Sequence, residues 1–337
     1  MRFATGIVAA LLAVAATGCA ASSPPGTAVT PGLAPASPGP ATTPVVIGLS
    51  YIPNIQFAPF YVADHQNLLG GATLRHHGAQ EGLFTAIASG QEQFVVAGGD
   101  EALQAREQGV DLVAIAPYYR SYPARIIARN DTGITSLADL RGKSIGVTGR
   151  FGESWFALLV ALKSAGLTEN DVTVVEIGYT HQAALAAKKV DAAVGFVNND
   201  LVQDRQAGLD VTELPLTSEG EPPLVGASVF TTRAFLDAHP DVVQTVARGV
   251  VAGVQATADD PAGAIDVSAA MIPDMDPVAA KATLDATIPI MVDASGKASG
   301  GLDTAQWQAM ADFLLDVGVL TKPADVAAAV DATVLAS

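Results

Sequence analysis

From residue 45 onward, short unbroken apolar runs alternate with stretches whose apolar residues recur every three to four positions. The pattern predicts a strand over 45–50, broken by Pro53 and Asn54, then a helix over 58–66. A strand over 73–77 precedes a helix over 82–89 that ends at Gly90. A strand over 94–97 precedes a helix over 100–108 stopped by Gly109, and strands follow over 112–116 and 124–128. A second unit starts near residue 135. Ser136 caps a turn over 137–140, a strand covers 143–147, and a helix covers 154–165 with Gly166 in the stop position. Then come strand 172–176, helix 182–188, strand 192–196, helix 199–206 and strand 211–215. An extended return segment over 222–231 leads to helices over 234–239 and 242–257, and to further helices as far as residue 330. No short repeat recurs at a fixed period.

This alternation predicts an α/β chain built on mostly parallel sheets covered by helices on both faces. The expected first lobe comprises 45–131 and 222–337, including the C-terminal helices. The expected second lobe comprises 132–221. In such sheets a ligand sits beyond the carboxyl ends of the strands, here at the junction of the lobes.

Before residue 45 the pattern is different. Arg2 precedes an apolar run over 3–16, shorter than the roughly 20 apolar residues a membrane-crossing helix needs. It fits the apolar part of a secretory signal peptide. Ala16, Thr17, Gly18 and Cys19 then resemble a bacterial lipobox, whose cysteine is acylated and becomes the new N-terminus. Ala16 stands where that pattern usually has Leu, and an ordinary signal peptide with an incidental cysteine is the alternative. The expectation is a signal peptide over 1–19 and, over 20–44, an uncharged tether rich in Pro, Ala, Ser and Thr that buries too little apolar surface to fold.

Charge narrows the choice of partners. The chain has 337 residues, half of them hydrophobic, with 34 acidic against 18 basic residues and a net charge of -16. That balance argues against nucleic acid, which wants clustered Lys and Arg. It also argues against adhesion to anionic headgroups. Cys19 is the sole cysteine, so neither an intramolecular disulfide nor a cysteine metal cluster is available. His76 and His77 are adjacent on a strand and face opposite sides, so they cannot chelate together.

Five stretches resemble one family, the two-lobed solute-binding proteins of ABC importers for alkanesulfonates, nitrate and thiamine-pyrimidine precursors. They are YIPNIQFAPFYVA at 51–63, LADLRGKSIGV at 137–147, FGESW at 151–155, VDAAV running on to FVNN over 190–199, and FLDAHPDVV at 235–243. The first is similar to the thiamine-precursor and riboflavin-binding branch in particular. They occur in the family's order. The Gly-rich acidic insertion usual after the first helix is short here, at Leu69, Gly70 and Gly71. The resemblance implies a type II periplasmic-binding-protein fold of two hinge-connected α/β lobes. It also implies a lipid-anchored, extracytoplasmic and monomeric subunit. Such a protein closes on a small-molecule ligand and docks on an ABC permease, while a separate ATPase supplies the energy. No GxxxxGK[ST] loop is present in this chain.

Candidate ligand-binding residues cluster at the predicted strand ends. Tyr51, Tyr61, Tyr118, Tyr119, Tyr179, Phe57 and Phe151 offer aromatic faces suited to a flat heterocycle, the competing reading being core packing. Asn54, Gln56, Asn198 and Asn199 offer directional hydrogen bonds, although Asn54 can close a turn and Asn199 can cap a helix. Gly152, Glu153 and Ser154 open a helix, and Asp100 and Glu101 open an earlier one. A carboxylate there suits the helix dipole, accepts from ligand N–H groups and repels an oxyanion. His181 lies near Tyr179, with a surface helix start as the alternative. No cofactor and no metal are expected.

The expected ligand is therefore a planar heterocycle, a thiamine-pyrimidine precursor first and riboflavin second, with alkanesulfonate or nitrate behind. The rival from another class is the thiamine-pyrimidine biosynthetic enzyme, which shares the fold but carries a Cys-rich motif absent here. Neither GxSxG nor HExxH occurs, and no enzymatic activity is expected.

Overall fold

The computed structural model describes residues 44–78 and 81–335. The expected signal peptide, the lipobox with Cys19, and the tether as far as residue 43 lie outside the described residues.

Two five-stranded sheets organise the chain, and their strand directions follow from where each apolar run finds partners. The strands are β1 (Val46–Leu49), β2 (Thr73–His76), β3 (Phe94–Ala97), β4 (Leu112–Pro117), β5 (Ala124–Arg129), β6 (Ser144–Val147), β7 (Thr173–Glu176), β8 (Ala192–Phe196), β9 (Val211–Leu214) and β10 (Ser228–Thr232). The first sheet has the order β2-β1-β3-β10-β4 and the second β7-β6-β8-β5-β9. In each, one strand runs against the rest: β10 is antiparallel to β3 and β4, and β5 to β8 and β9. Both antiparallel strands arrive from the other lobe without a crossover helix, which accounts for their reversed direction.

One expected boundary moves. Residues 124–128 read as a strand of the first lobe, yet Ala124 pairs with Phe196 and Ile126 with Leu214, so β5 belongs to the second sheet. The chain therefore crosses before residue 124 rather than at 131. It returns at β10, within the segment expected to be extended.

The helices are α1 (Ala58–His65), α2 (Thr85–Ala88), α3 (Gly99–Glu107), α4 (Gly152–Ser164), α5 (His181–Ala186), α6 (Asp200–Gln206), α7 (Arg233–Ala238), α8 (Pro240–Asp259), α9 (Pro261–Ser268), α10 (Pro277–Met291), α11 (Thr304–Asp316) and α12 (Val326–Ala329). Helix α8 buries Val243, Val246, Ala247, Val250 and Val254, the three-and-four spacing of a single apolar face. That face lies on α1 at very close range. A methyl group on Gly253 would come within 2.3 Å of the Pro59 carbonyl oxygen, and one on Gly249 within 2.2 Å of that of Leu68. Only glycines four residues apart let the two backbones meet there. Trp307, Phe230 and Leu314 fill the core under the α11 side of the first sheet. No helix among the described residues is long and apolar enough to cross a membrane.

Candidate functional site

Tyr51 follows β1, Asp100 and Glu101 follow β3, and Tyr118 and Tyr119 follow β4. On the second sheet, Phe151 to Ser154 follow β6, Tyr179 follows β7, and Asn198 follows β8. All lie past the carboxyl ends of strands that share one direction within their sheet. Three contacts show that these two sets of ends face each other. The rings of Tyr51 and Tyr179 have centroids 6.0 Å apart, tilted by 46°. A methyl group on Gly98 would lie 2.9 Å from the Glu153 Cγ. Asn198 Nδ2 donates to the Tyr119 hydroxyl at 3.2 Å and to Thr287 Oγ1 at 3.2 Å.

The floor of this junction is acidic. Helices α3 and α4 bring their N-termini together, with Asp100, Glu101 and Glu153 between them. Gly152 enters α4 with φ +68°, a conformation glycine adopts without strain, and a methyl group there would lie 2.9 Å from Glu101 Oε1, which places that carboxyl group against the start of α4. The Tyr122 hydroxyl donates to Asp100 Oδ2 at 2.7 Å and lies 3.1 Å from the Glu153 carbonyl oxygen. Glu101 reaches back to accept from the Gly98 N–H at 3.3 Å. Burial disfavours all three charges. It pushes Asp100 up to about 7 against its hydrogen bond from Tyr122. Burial and then the Asp100 charge push Glu101 up to about 8. Burial, then Asp100 and Glu101, raise Glu153 well above the usual carboxylate range. Glu153 Oε1 and Asn198 Oδ1 are buried without a hydrogen-bond partner.

The other expected residues divide between cleft and core. Phe57, Tyr61 and Tyr118 are buried in the first lobe. Tyr118 stacks on Tyr119 at 4.7 Å and bonds the Gln56 carbonyl. The Tyr61 hydroxyl meets His76 Nε2 at 2.9 Å, and His76 Nδ1 donates to the Tyr51 carbonyl at 2.9 Å, which braces the loop carrying Tyr51. Asn54 caps the turn over residues 55–57, its side chain accepting from the Gln56 N–H at 2.9 Å. Ser154 Oγ accepts from the Thr148 N–H at 3.2 Å, and Asn199 Oδ1 accepts from Gln203 Nε2 at 2.9 Å. These three serve local structure, whereas Phe151 and Tyr179 stand exposed at the rim.

Sequence reasoning left out Tyr122, Thr287, Asp200 and Asp204. His181 is no surface residue: it is buried, with Nε2 2.9 Å from Asp204 Oδ2 and Nδ1 3.3 Å from the Val194 carbonyl. Burial alone would lower its pKa, but the Asp204 bond and the Asp200 charge outweigh burial and raise it. Burial and then the Asp200 charge raise the Tyr51 hydroxyl. A separate hollow, lined by Arg129, Asp131, Lys188 and Asp210, opens at the opposite end of the second sheet and gathers no aromatic ring. Among the described residues no group of His, Cys, Asp and Glu has the arrangement of a metal site.

Residues 54–264 match the family described as NMT1/THI5 like, and the chain belongs to that family. It is 32% identical to the riboflavin-binding protein RibY of Chloroflexus aurantiacus, over 94% of this chain and 93% of that one. It is 27% identical to the 4-amino-5-hydroxymethyl-2-methylpyrimidine phosphate synthase of Legionella pneumophila, over 35% of this chain and 36% of that enzyme. Among solved structures, the alkanesulfonate-binding protein SsuA of Xanthomonas axonopodis pv. citri, bound to MOPS, superposes with a TM-score of 0.66 at 21% identity. That match covers 86% of this chain and 99% of the other. A Candida albicans protein described as having the generic periplasmic binding protein fold gives a TM-score of 0.63 at 17% identity, over 86% and 97% of the two chains. These likenesses establish the two-lobed periplasmic-binding-protein fold.

Proposed function

We propose that this NMT1/THI5-like protein is the extracytoplasmic solute-binding subunit of an ABC importer, taking a planar heterocycle between its lobes and handing it to a permease driven by a separate ATPase. The observation that carries the reading is the Tyr51–Tyr179 pair, one ring from each lobe, above a buried acidic floor. A ring held between two others takes up roughly 7 Å between their centroids, twice a van der Waals contact. The present 6.0 Å is slightly less, so a ligand is admitted by a small parting of the lobes and then contacts both.

Riboflavin comes first among the ligands, because the relative that matches nearly the whole chain is a riboflavin-binding protein. A thiamine-pyrimidine precursor is the second reading, favoured by the partial match to the pyrimidine phosphate synthase. An alkanesulfonate fits less well, since Asp100, Glu101 and Glu153 occupy the two helix starts that would otherwise bind an anion. The same partial match carries the enzymatic alternative. Against it, the junction offers tyrosines, amides and carboxylates, and the sole cysteine, Cys19, stands in the lipobox-like segment. Anchoring to the outer face of the membrane through an acylated Cys19 completes the proposal.

The test is calorimetric titration of the protein with riboflavin, 4-amino-5-hydroxymethyl-2-methylpyrimidine and an alkanesulfonate. One-to-one binding of a heterocycle, with none of the sulfonate, supports the reading. Binding of the sulfonate alone overturns it.

A further inference from the structure

Asn198 is 0% exposed, follows β8, and holds its amide in an orientation that neighbouring atoms dictate. Thr287 Oγ1 donates to the Thr283 carbonyl at 2.7 Å, so its proton is spent. The same oxygen, 3.2 Å from Asn198, must therefore accept, and the group facing it must be Nδ2 rather than Oδ1. The second Nδ2 proton goes to the Tyr119 hydroxyl oxygen at 3.2 Å. Two consequences follow. Asn198 Oδ1 is left as a buried acceptor with nothing to accept from. The Tyr119 hydroxyl, already an acceptor, keeps its own proton to give.

Resting on the reading of the junction as a heterocycle site, we infer that Asn198 Oδ1 and the Tyr119 hydroxyl form an adjacent acceptor and donor that read the imide edge of the ligand, an N–H beside a ring carbonyl. The N–H donates to Asn198 Oδ1 and the carbonyl accepts from Tyr119. An isoalloxazine presents that edge, and an aminopyrimidine presents its analogue, an exocyclic N–H beside a bare ring nitrogen. A sulfonate has no donor to offer. The stack of Tyr119 on Tyr118 and the bond from the Tyr118 hydroxyl to the Gln56 carbonyl hold the reading group in place. Both members are closed off from solvent in this conformation and are joined across the junction, so the ligand enters when the lobes part and is read when they close on it. The pair then sets which heterocycle is kept, while the Tyr51–Tyr179 rings set only that it is flat.

The test compares riboflavin with its N3-methyl derivative, which keeps the rings and loses the imide N–H, on the wild-type protein and on Asn198→Ala and Tyr119→Phe. The wild type is expected to bind the methylated flavin roughly 10- to 100-fold more weakly, the effect of leaving one buried acceptor unpaired. In Asn198→Ala the two flavins are expected to come within about threefold of each other, the preference being carried by Oδ1. Tyr119→Phe is expected to weaken both flavins by a similar factor and keep the preference, with thermal melting checking that each variant is folded. Equal affinity of the wild type for the two flavins overturns the inference and leaves the binding function standing. So does a preference that survives in Asn198→Ala. Failure of riboflavin to bind the wild type at all overturns both this inference and the flavin reading beneath it.

Discussion

Tyr51 and Tyr179 lie 128 positions apart in the chain, yet their rings meet across the junction with centroids 6.0 Å apart. Tyr179 is 61% exposed, and Tyr51 is half-buried at the edge of the first lobe's core, so neither is enclosed in it. Replacing either by Ala is expected to weaken ligand binding about tenfold, the loss of roughly 1.4 kcal/mol of stacking and burial. The melting temperature should change little. Calorimetry and thermal melting on the two variants check both halves of the expectation.

The carboxylates between α3 and α4 make stability fall as pH rises. Burial pushes Asp100 up to about 7 and Glu101 up to about 8 in the folded protein and raises Glu153 as well, against about 4 when unfolded. Across that window the folded state binds more protons than the unfolded one, so unfolding becomes easier with each step up in pH. His181, also raised, acts in the same direction: its contribution is complete below the unfolded value and is lost as pH rises through the folded one. The melting temperature is expected to be higher at pH 5 than at pH 8. The double variant Asp100→Asn with Glu153→Gln should flatten the profile. A wild-type profile that climbs over this range would contradict the assignment.

Gly253 lets α8 lie against α1. Gly253→Ala would press a methyl group to within 2.3 Å of the Pro59 carbonyl oxygen, a backbone atom that cannot rotate aside. Overpacking of this kind costs about 1–3 kcal/mol. Denaturant unfolding should show that loss, whereas Gly71→Ala, where no atom lies within 4 Å, should show only the smaller cost of a positive φ.

His181 and Asp204 form a buried pair in the second lobe, and removing one partner strands the other. His181→Ala is expected to lower stability by about 3 kcal/mol. The size of the loss is checked by urea unfolding of the variant beside wild type.

Acylation of Cys19 is expected to place the protein in the membrane fraction. Cys19→Ser should release it and abolish incorporation of labelled fatty acid. A wild-type protein that carries no label would mark an ordinary signal peptide instead.

Elements were largely legible in the sequence because each is specified by residues close together. The apolar run of β3, the α8 face that recurs at three and four positions, and Gly109 and Gly166 as helix stops announce themselves locally. The placement of site residues beyond strand carboxyl ends followed from the same local rule.

The sequence by itself therefore determined the order of strands and helices, the two-lobed α/β class, the family, and the set of aromatic and acidic residues from which a site could be built. Only the tertiary structure decided which lobe owns β5, because β4 and β5 read alike and differ only in the partners they find far along the chain, β10 for β4 and β8 for β5. It also sorted the tyrosines: Tyr61 and Tyr118 turn into the first lobe's core and Tyr51 and Tyr179 face one another, a division set by packing rather than spacing. The bond between Thr287 and Asn198 spans 89 positions, and nothing in either neighbourhood announces it. Hydrogen bonds and ring contacts between distant segments exist only after the chain has closed, and they choose which of several chemically equivalent side chains meets the ligand.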